Sequence, residues 1–139
     1  MLHAHSGLRW IALILLLLAI FNAFSKMKSP AVSAGDRKIN LFAMVTFHIQ
    51  YLVGLGLYFT SPKVNFDQGW MKIDIFRFFG MEHVLMMTVA FILITMGFSK
   101  SKKSATPYKT IAIFYTIALI LILAGIPWPF RGALGGSWF

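Results

Sequence analysis

The sequence predicts an all-α integral membrane protein, a four-transmembrane-helix antiparallel bundle forming one domain over residues 1–139, with an interfacial aromatic segment between helices 2 and 3. The first observation is composition: 58% of the residues are apolar and 12% are charged, against about 45–50% and about 25% in soluble domains. The second is four apolar stretches, each long enough to cross about 30 Å of hydrocarbon as a helix. The third is that none of them alternates apolar and polar residues as a barrel strand does. An ordinary soluble domain is therefore excluded, and because the chain has no cysteine, so are disulfides and thiolate metal sites.

Four spans follow one another along the chain. They cover roughly residues 6–24, 40–59, 81–98 and 110–126. The first is predicted to be retained, and not cleaved as a signal peptide, because only Arg9 precedes its apolar run and Lys26 and Lys28 directly follow it. Short connections between four spans favour an up-and-down antiparallel bundle, in which spans one and three are diagonal partners.

Charge is distributed unevenly over the connections. The basic residues between spans one and two and between spans three and four are Lys26, Lys28, Arg37, Lys38, Lys100, Lys102, Lys103 and Lys109. Only Asp36 opposes them, whereas the second connection balances its cations with Asp67 and Asp74. By the positive-inside rule, we expect both termini to lie outside the cytoplasm. The net charge of +9 is then mostly a topology signal, and nucleic acid is not a predicted partner.

The second connection, residues 61–80, mixes aromatic and charged side chains. Such a mixture is typical of a segment that lies in the headgroup layer, and the tail from Pro127 to Phe139 has the same character. Two interpretations stay open. Both segments are aromatic anchors, or both cover a site at the outer end of the bundle.

Histidines carry the functional hypothesis, because ionisable residues at membrane depth are costly and mark candidate sites. His5 opens span one and His83 opens span three, so both lie at nearly the same depth near the outer surface. Neighbouring helices pack about 8–10 Å apart, which places diagonal helices roughly 12–14 Å apart. Two imidazoles that reach inward across this gap leave space for a flat macrocycle bound axially through its iron, and we expect haem there.

Charged residues nearby are candidates for contacts to the cofactor. Glu82 or a backbone carbonyl is the expected acceptor for the second nitrogen of a ligating histidine. Arg9 lies one turn from His5 and is expected to contact a haem propionate or pair with Glu82. Arg77 and Lys72 are further propionate candidates, and the glycines of Gly54-Leu55-Gly56 permit close approach of a helix or a ring.

His48 lies within span two and complicates the pairing. At about 1.5 Å per residue it lies roughly 12 Å from the cytoplasmic end, near the middle of the bilayer. The sequence leaves it open as a partner of His5 or His83, a ligand of a second haem, a proton or quinone contact, or a hydrogen-bonded packing residue. Likewise, His5 and His83 are open to being plain interfacial residues, and His3 with His5 is an alternative copper site.

Three short motifs resemble small four-span bacterial inner-membrane proteins labelled cytochrome b or cytochrome b561-like. The motifs are His5-Ser6-Gly7-Leu8-Arg9-Trp10, His48-Ile49-Gln50 with Gly54-Leu55-Gly56-Leu57-Tyr58-Phe59, and Arg77-Phe78-Phe79-Gly80-Met81-Glu82-His83. The resemblance implies haem b, electron transfer, and axial ligands among His5, His48 and His83. Four-span dihaem cytochromes of this kind carry four helix-borne histidines in two pairs, whereas here three of the four histidines lie on or at spans.

Two functions from different classes follow. The first is a haem-binding electron-transfer protein that exchanges electrons with a redox partner or quinone. The second is a non-catalytic accessory subunit of a larger respiratory or transport complex, in which the histidines serve packing. A small transporter or metal-handling protein is weaker, because no span is broken by proline or glycine as substrate sites usually are. Because the soluble catalytic motifs are absent, an electron-transfer or accessory subunit is favoured over a stand-alone enzyme.

Overall fold

The computed structural model describes residues 1–139 and confirms the predicted fold class. It has four helices long and apolar enough to span a membrane, and no strands. The helices are α1, Leu2–Ser25; α2, Ala34–Thr60; α3, Asp74–Ser101; and α4, Pro107–Gly125. Short 3-10 turns occupy Trp70–Lys72 and Gly132–Leu134. The chain is a multi-pass membrane protein.

Local sequence explains where the helices begin and end. Ser33 caps α2 by accepting a hydrogen bond from the Asp36 backbone N–H at 3.2 Å, and α2 ends just before Ser61-Pro62, since a residue before proline leaves the helical region. Pro107 opens α4 in the first turn, where its missing N–H costs nothing.

Helix α3 begins at Asp74, seven residues before the predicted start of the third span at Met81. Hydropathy alone does not indicate this earlier beginning, because charged residues interrupt the apolar run there. Its second turn, Phe78–Glu82, is a π-helical turn in which the His83 backbone N–H bonds to the Phe78 carbonyl. Such turns are rare and occur frequently at functional sites.

The four helices form a closed ring in cross-section. Helix α1 packs on α2 and α4, and α3 packs on the same two neighbours, so α1 and α3 are diagonal partners. Small residues allow the close approach that membrane helices need. The fully buried alanines are Ala19, Ala23, Ala43, Ala90 and Ala118. Large apolar side chains face outward, among them Phe21 at 70% exposed and Phe59 at 81%, which is the surface a lipid bilayer covers.

A polar network closes the end of the bundle that carries the two lysine-rich connections, here called the lysine-rich end. The buried Asp36 carboxylate binds Lys26 Nζ at 2.7 Å and accepts a hydrogen bond from the Tyr108 hydroxyl. The bond to Asp36 raises the pKa of Lys26. This network ties α1 and α2 to the start of α4. The opposite end, which carries both termini and residues 61–73, is called the tail end.

Candidate functional site

A cavity of about 180 Å³ lies among the four helices at the tail end. This volume is well above the roughly 10–15 Å³ that a cavity needs to hold one water. Apolar side chains form most of its wall. They include Leu13, Leu16, Phe47, Met87 and Ile122. The charged and titratable side chains in its lining are those of His5, Arg9, Tyr51, Tyr58, Lys63 and His83, and Gln50 and three serines also line it.

His83 is held by the end of the neighbouring helix α4. Its Nδ1 lies 2.7 Å from the Gly125 carbonyl oxygen, and because a carbonyl only accepts, Nδ1 carries the proton and donates. The Nε2 atom of the neutral ring then presents a lone pair. A backbone carbonyl that fixes one imidazole nitrogen is the arrangement that orients histidine toward a metal.

His5 lies against helix α2, in a place that Gly54 opens. A Cβ atom at Gly54 would lie 3.0 Å from His5 Cε1, so the absence of a side chain there accommodates the ring. One turn earlier on α2, Gln50 Nε2 donates to the His5 backbone carbonyl at 2.9 Å and lies 3.4 Å from His5 Nε2. Two atoms here, His5 Nδ1 and Gln50 Oε1, are buried and have no hydrogen-bond partner.

The rings of His5 and His83 meet across the diagonal of the bundle. Their centres lie 6.4 Å apart with an angle of 78° between the ring planes. No group of three or more histidine or acidic side chains converges anywhere in the chain. Two imidazoles do not supply the four ligands of a tetrahedral zinc ion, whereas a macrocycle would bring most of the ligands of its own metal.

The tail after α4 folds back over the mouth of the cavity. Arg9 Nη2 donates to the Trp138 carbonyl at 2.7 Å and to the Ser137 carbonyl at 3.2 Å, and Lys63 Nζ donates to the Gly135 carbonyl at 3.2 Å. The tail residues 135–137 line the cavity. The tail was open to two interpretations, an aromatic anchor or a segment that covers a site. This geometry favours the second.

Glu82 and Arg77 lie away from the cavity. Arg77 Nε binds Glu82 Oε1 at 2.8 Å, and its Nη2 binds Asp74 Oδ1 at 2.9 Å. The π-helical turn accounts for this, because residues five apart are aligned in a π-helix and Arg77 and Glu82 then share one side. Arg9 does not pair with Glu82, and Lys72, also considered for a propionate contact, is exposed outside the cavity wall.

The structure also separates His48 from His5 and His83. It places the fourth histidine, His3, in the first turn of α1, so that all four histidines lie on helices. His48 Nε2 lies 2.8 Å from Thr95 Oγ1, and the His48 ring packs against Phe91 at an angle of 37° with centres 4.5 Å apart. Because the Thr95 hydroxyl donates to the Phe91 carbonyl, it accepts from His48. His48 lies outside the cavity wall and so does His3.

Two residues of the site escaped the sequence argument. Gln50 enters the sequence prediction only as part of the His48-Ile49-Gln50 motif, and Lys63 only as one of the unnamed cations of the second connection. The spacing of Gln50 and Gly54, four apart on one helix face, was the signal available for Gln50. Nothing in the sequence showed that Lys63 would reach the tail.

Comparison with known proteins gives no match to the chain, whether with family models, curated proteins or solved structures.

Proposed function

We propose that this protein is a b-type haem-binding membrane protein that transfers electrons, in which His5 and His83 would hold the haem iron. The observation that carries the proposal is the 6.4 Å separation of the two ring centres across the bundle. An iron bound by both rings would place their centres roughly 6 Å apart, since each metal–nitrogen bond is about 2 Å long.

The residues around the pair fit haem in three further respects. His5 Nδ1 is a buried ring nitrogen without a partner. The wall of the cavity is mostly apolar, as a porphyrin face requires. At the mouth, Arg9 and Lys63 are cations whose hydrogen bonds go to backbone carbonyls and not to carboxylates, so they suit the propionates of haem.

Each residue has a defined part in holding the group. Gly125 fixes the tautomer of His83 through its carbonyl, and Gln50 holds the His5 backbone and lies beside its ring. Haem b supplies one-electron redox chemistry, while the protein sets its potential through the ligands, their hydrogen bonds and burial. Leu13, Phe47 and Ile122 exclude water from the faces of the ring.

The cellular setting is part of the same proposal. The resemblance to small cytochrome b or cytochrome b561-like proteins supports a place in the bacterial inner membrane. The positive-inside rule supports a tail end outside the cytoplasm, where haem near His5 and His83 would exchange electrons with a redox partner or with quinone. A larger respiratory complex would bring such a partner within reach.

The test is the absorbance spectrum of the detergent-purified protein from haem-replete cells. We expect a reduced-minus-oxidised spectrum of a low-spin b-type haem and a haem content close to one per chain. A colourless protein that also fails to bind added haem would contradict the proposal. In that case the alternative function, a non-catalytic accessory subunit, would be tested by copurification with a multisubunit complex.

A further inference from the structure

The mouth of the cavity carries two cations without an anionic partner. The three ion pairs of the chain join Lys26 to Asp36 and Arg77 to Asp74 and Glu82. Arg9 and Lys63 take part in none of them. Asp74 and Glu82 are paired with Arg77 and Asp67 is exposed, so neither Arg9 nor Lys63 has a carboxylate of the chain within ion-pair distance.

Both cations are positioned by aromatic rings. The Arg9 guanidinium lies 5.4 Å from the centre of the Trp10 ring, and Lys63 Nζ lies 5.1 Å from the centre of the Phe79 ring. Arg9 Nε is buried without a partner. These contacts hold the charged groups at the rim, while Arg9 and Lys63 themselves line the cavity.

The only groups that engage their donors are carbonyls of the tail. Arg9 reaches Ser137 and Trp138, and Lys63 reaches Gly135. A carboxylate adds the attraction between opposite charges to its hydrogen bond with a cation, which a neutral carbonyl does not supply. Tail carbonyls are therefore weaker partners than the carboxylates of a ligand.

The tail is built to lie close over the mouth. Gly136 rests against the Pro127 carbonyl so closely that any Cβ atom would overlap it, and Gly135 has a φ of 58°, which glycine adopts without strain. Trp138 stacks on Trp10 with ring centres 6.4 Å apart. These contacts fix the position of the tail beside both cations.

We infer that Arg9 and Lys63 form a subsite for the two carboxylates of a flat, apolar ligand, and that these carboxylates replace the tail carbonyls when the ligand binds. The inference rests on the proposed function and deepens it, because it assigns the end at which the propionates of haem lie. It also means that the tail acts as a strap, whose carbonyls leave Arg9 and Lys63 when the ligand binds.

The experiment compares three probes on the protein freed of haem in detergent. They are haem b, haem b with both carboxylates esterified, and iron-free protoporphyrin, which keeps the carboxylates. Each is titrated into the wild-type chain and into the Arg9→Gln/Lys63→Gln double variant, and dissociation constants are taken from absorbance and from quenching of tryptophan fluorescence. Lys72→Gln is the matched control, since Lys72 is an exposed cation at the same end that does not line the cavity.

Esterification is expected to weaken binding to the wild type by at least about tenfold and to change binding to the double variant by less than about threefold. Lys72→Gln should behave as the wild type. If esterification weakens binding equally in the wild type and the double variant, or weakens it in neither, the subsite is overturned. Haem binding itself would remain in place. If the wild type binds none of the three probes, the proposed function fails and the inference fails with it.

Substitution of Gly136 tests the strap separately. Gly136→Ala forces the tail away from Pro127 and is expected to raise the affinity for protoporphyrin several-fold, because less of the tail competes for Arg9 and Lys63. Gly132→Ala is the matched control, since a Cβ atom there meets nothing within 4 Å. Unchanged affinity in Gly136→Ala would show that the tail does not compete and would overturn the strap.

Discussion

The imidazole rings of His5 and His83 lie 6.4 Å apart although they belong to the two helices that do not pack on each other. Each ring reaches the centre of the bundle from its own corner, and each is fixed by the helix beside it. Gly54 and Gln50 of α2 hold His5, and Gly125 of α4 holds His83. All four helices therefore take part in presenting the pair.

Gly54→Ala tests how closely His5 must sit against α2. The added Cβ atom would lie 3.0 Å from the His5 ring, so the ring has to shift away, and we expect haem affinity to fall by about tenfold or more. Gly56→Ala is the control, because its Cβ atom meets the flexible end of Met1 at 3.2 Å. The measurement is haem titration of both variants. Equal haem affinities of Gly54→Ala and Gly56→Ala would contradict the prediction.

Gln50→Leu removes the side chain that bonds to His5 from α2. It loses a hydrogen bond to the His5 carbonyl and the contact with the ring, so we expect haem affinity to fall by about 10–100-fold and the midpoint potential to shift. Gln68→Leu, at an exposed position of the second connection, should change neither quantity. A Gln50→Leu protein with the potential and affinity of the wild type would show that this bond does not orient the ligand.

His48→Ala is expected to keep the haem spectrum and to lower stability. The variant loses the hydrogen bond to Thr95 and the ring contact with Phe91, with an expected cost of about 1–2 kcal/mol. Thr95→Val removes the same bond from the other side and should give a similar change in thermal unfolding in detergent. Loss of the haem bands in His48→Ala would instead place an axial ligand in the middle of span two.

The orientation of the bundle can be tested with engineered cysteines, because the chain has none of its own. Gln68→Cys at the tail end is expected to react with a membrane-impermeant thiol reagent added to intact cells, after removal of the outer membrane where one is present. Ser104→Cys, between α3 and α4, is expected to react only after lysis. The reverse pattern would place the lysine-rich connections outside.

Much of the fold was accessible from the sequence because its causes are local. The lengths of the apolar runs indicate the four helices, and their short connections indicate an up-and-down bundle whose first and third spans are diagonal. The meeting of His5 and His83 follows from these together with their equal depth. The early start of α3 was missed, because Asp74 and Arg77 interrupt the hydropathy there.

The surroundings of His5 and His83 are harder to predict from the sequence, because they depend on the directions in which side chains point. Glu82 is adjacent to His83 in sequence, yet the π-helical turn aligns it with Arg77 and away from the cavity. A backbone carbonyl, Gly125, holds His83 instead. Lys63 reaches the site only because the tail returns over it, and no periodicity in the sequence encodes that return.

The most direct measurement is the haem content of the His5→Ala and His83→Ala variants, purified from haem-replete cells beside the wild type. We expect each to lose the low-spin b-type spectrum, and millimolar imidazole added with haem to restore it, because the small ring fills the space left by the missing ligand. A His5→Ala or His83→Ala protein that retains the wild-type spectrum and haem content without imidazole would contradict axial ligation by this pair.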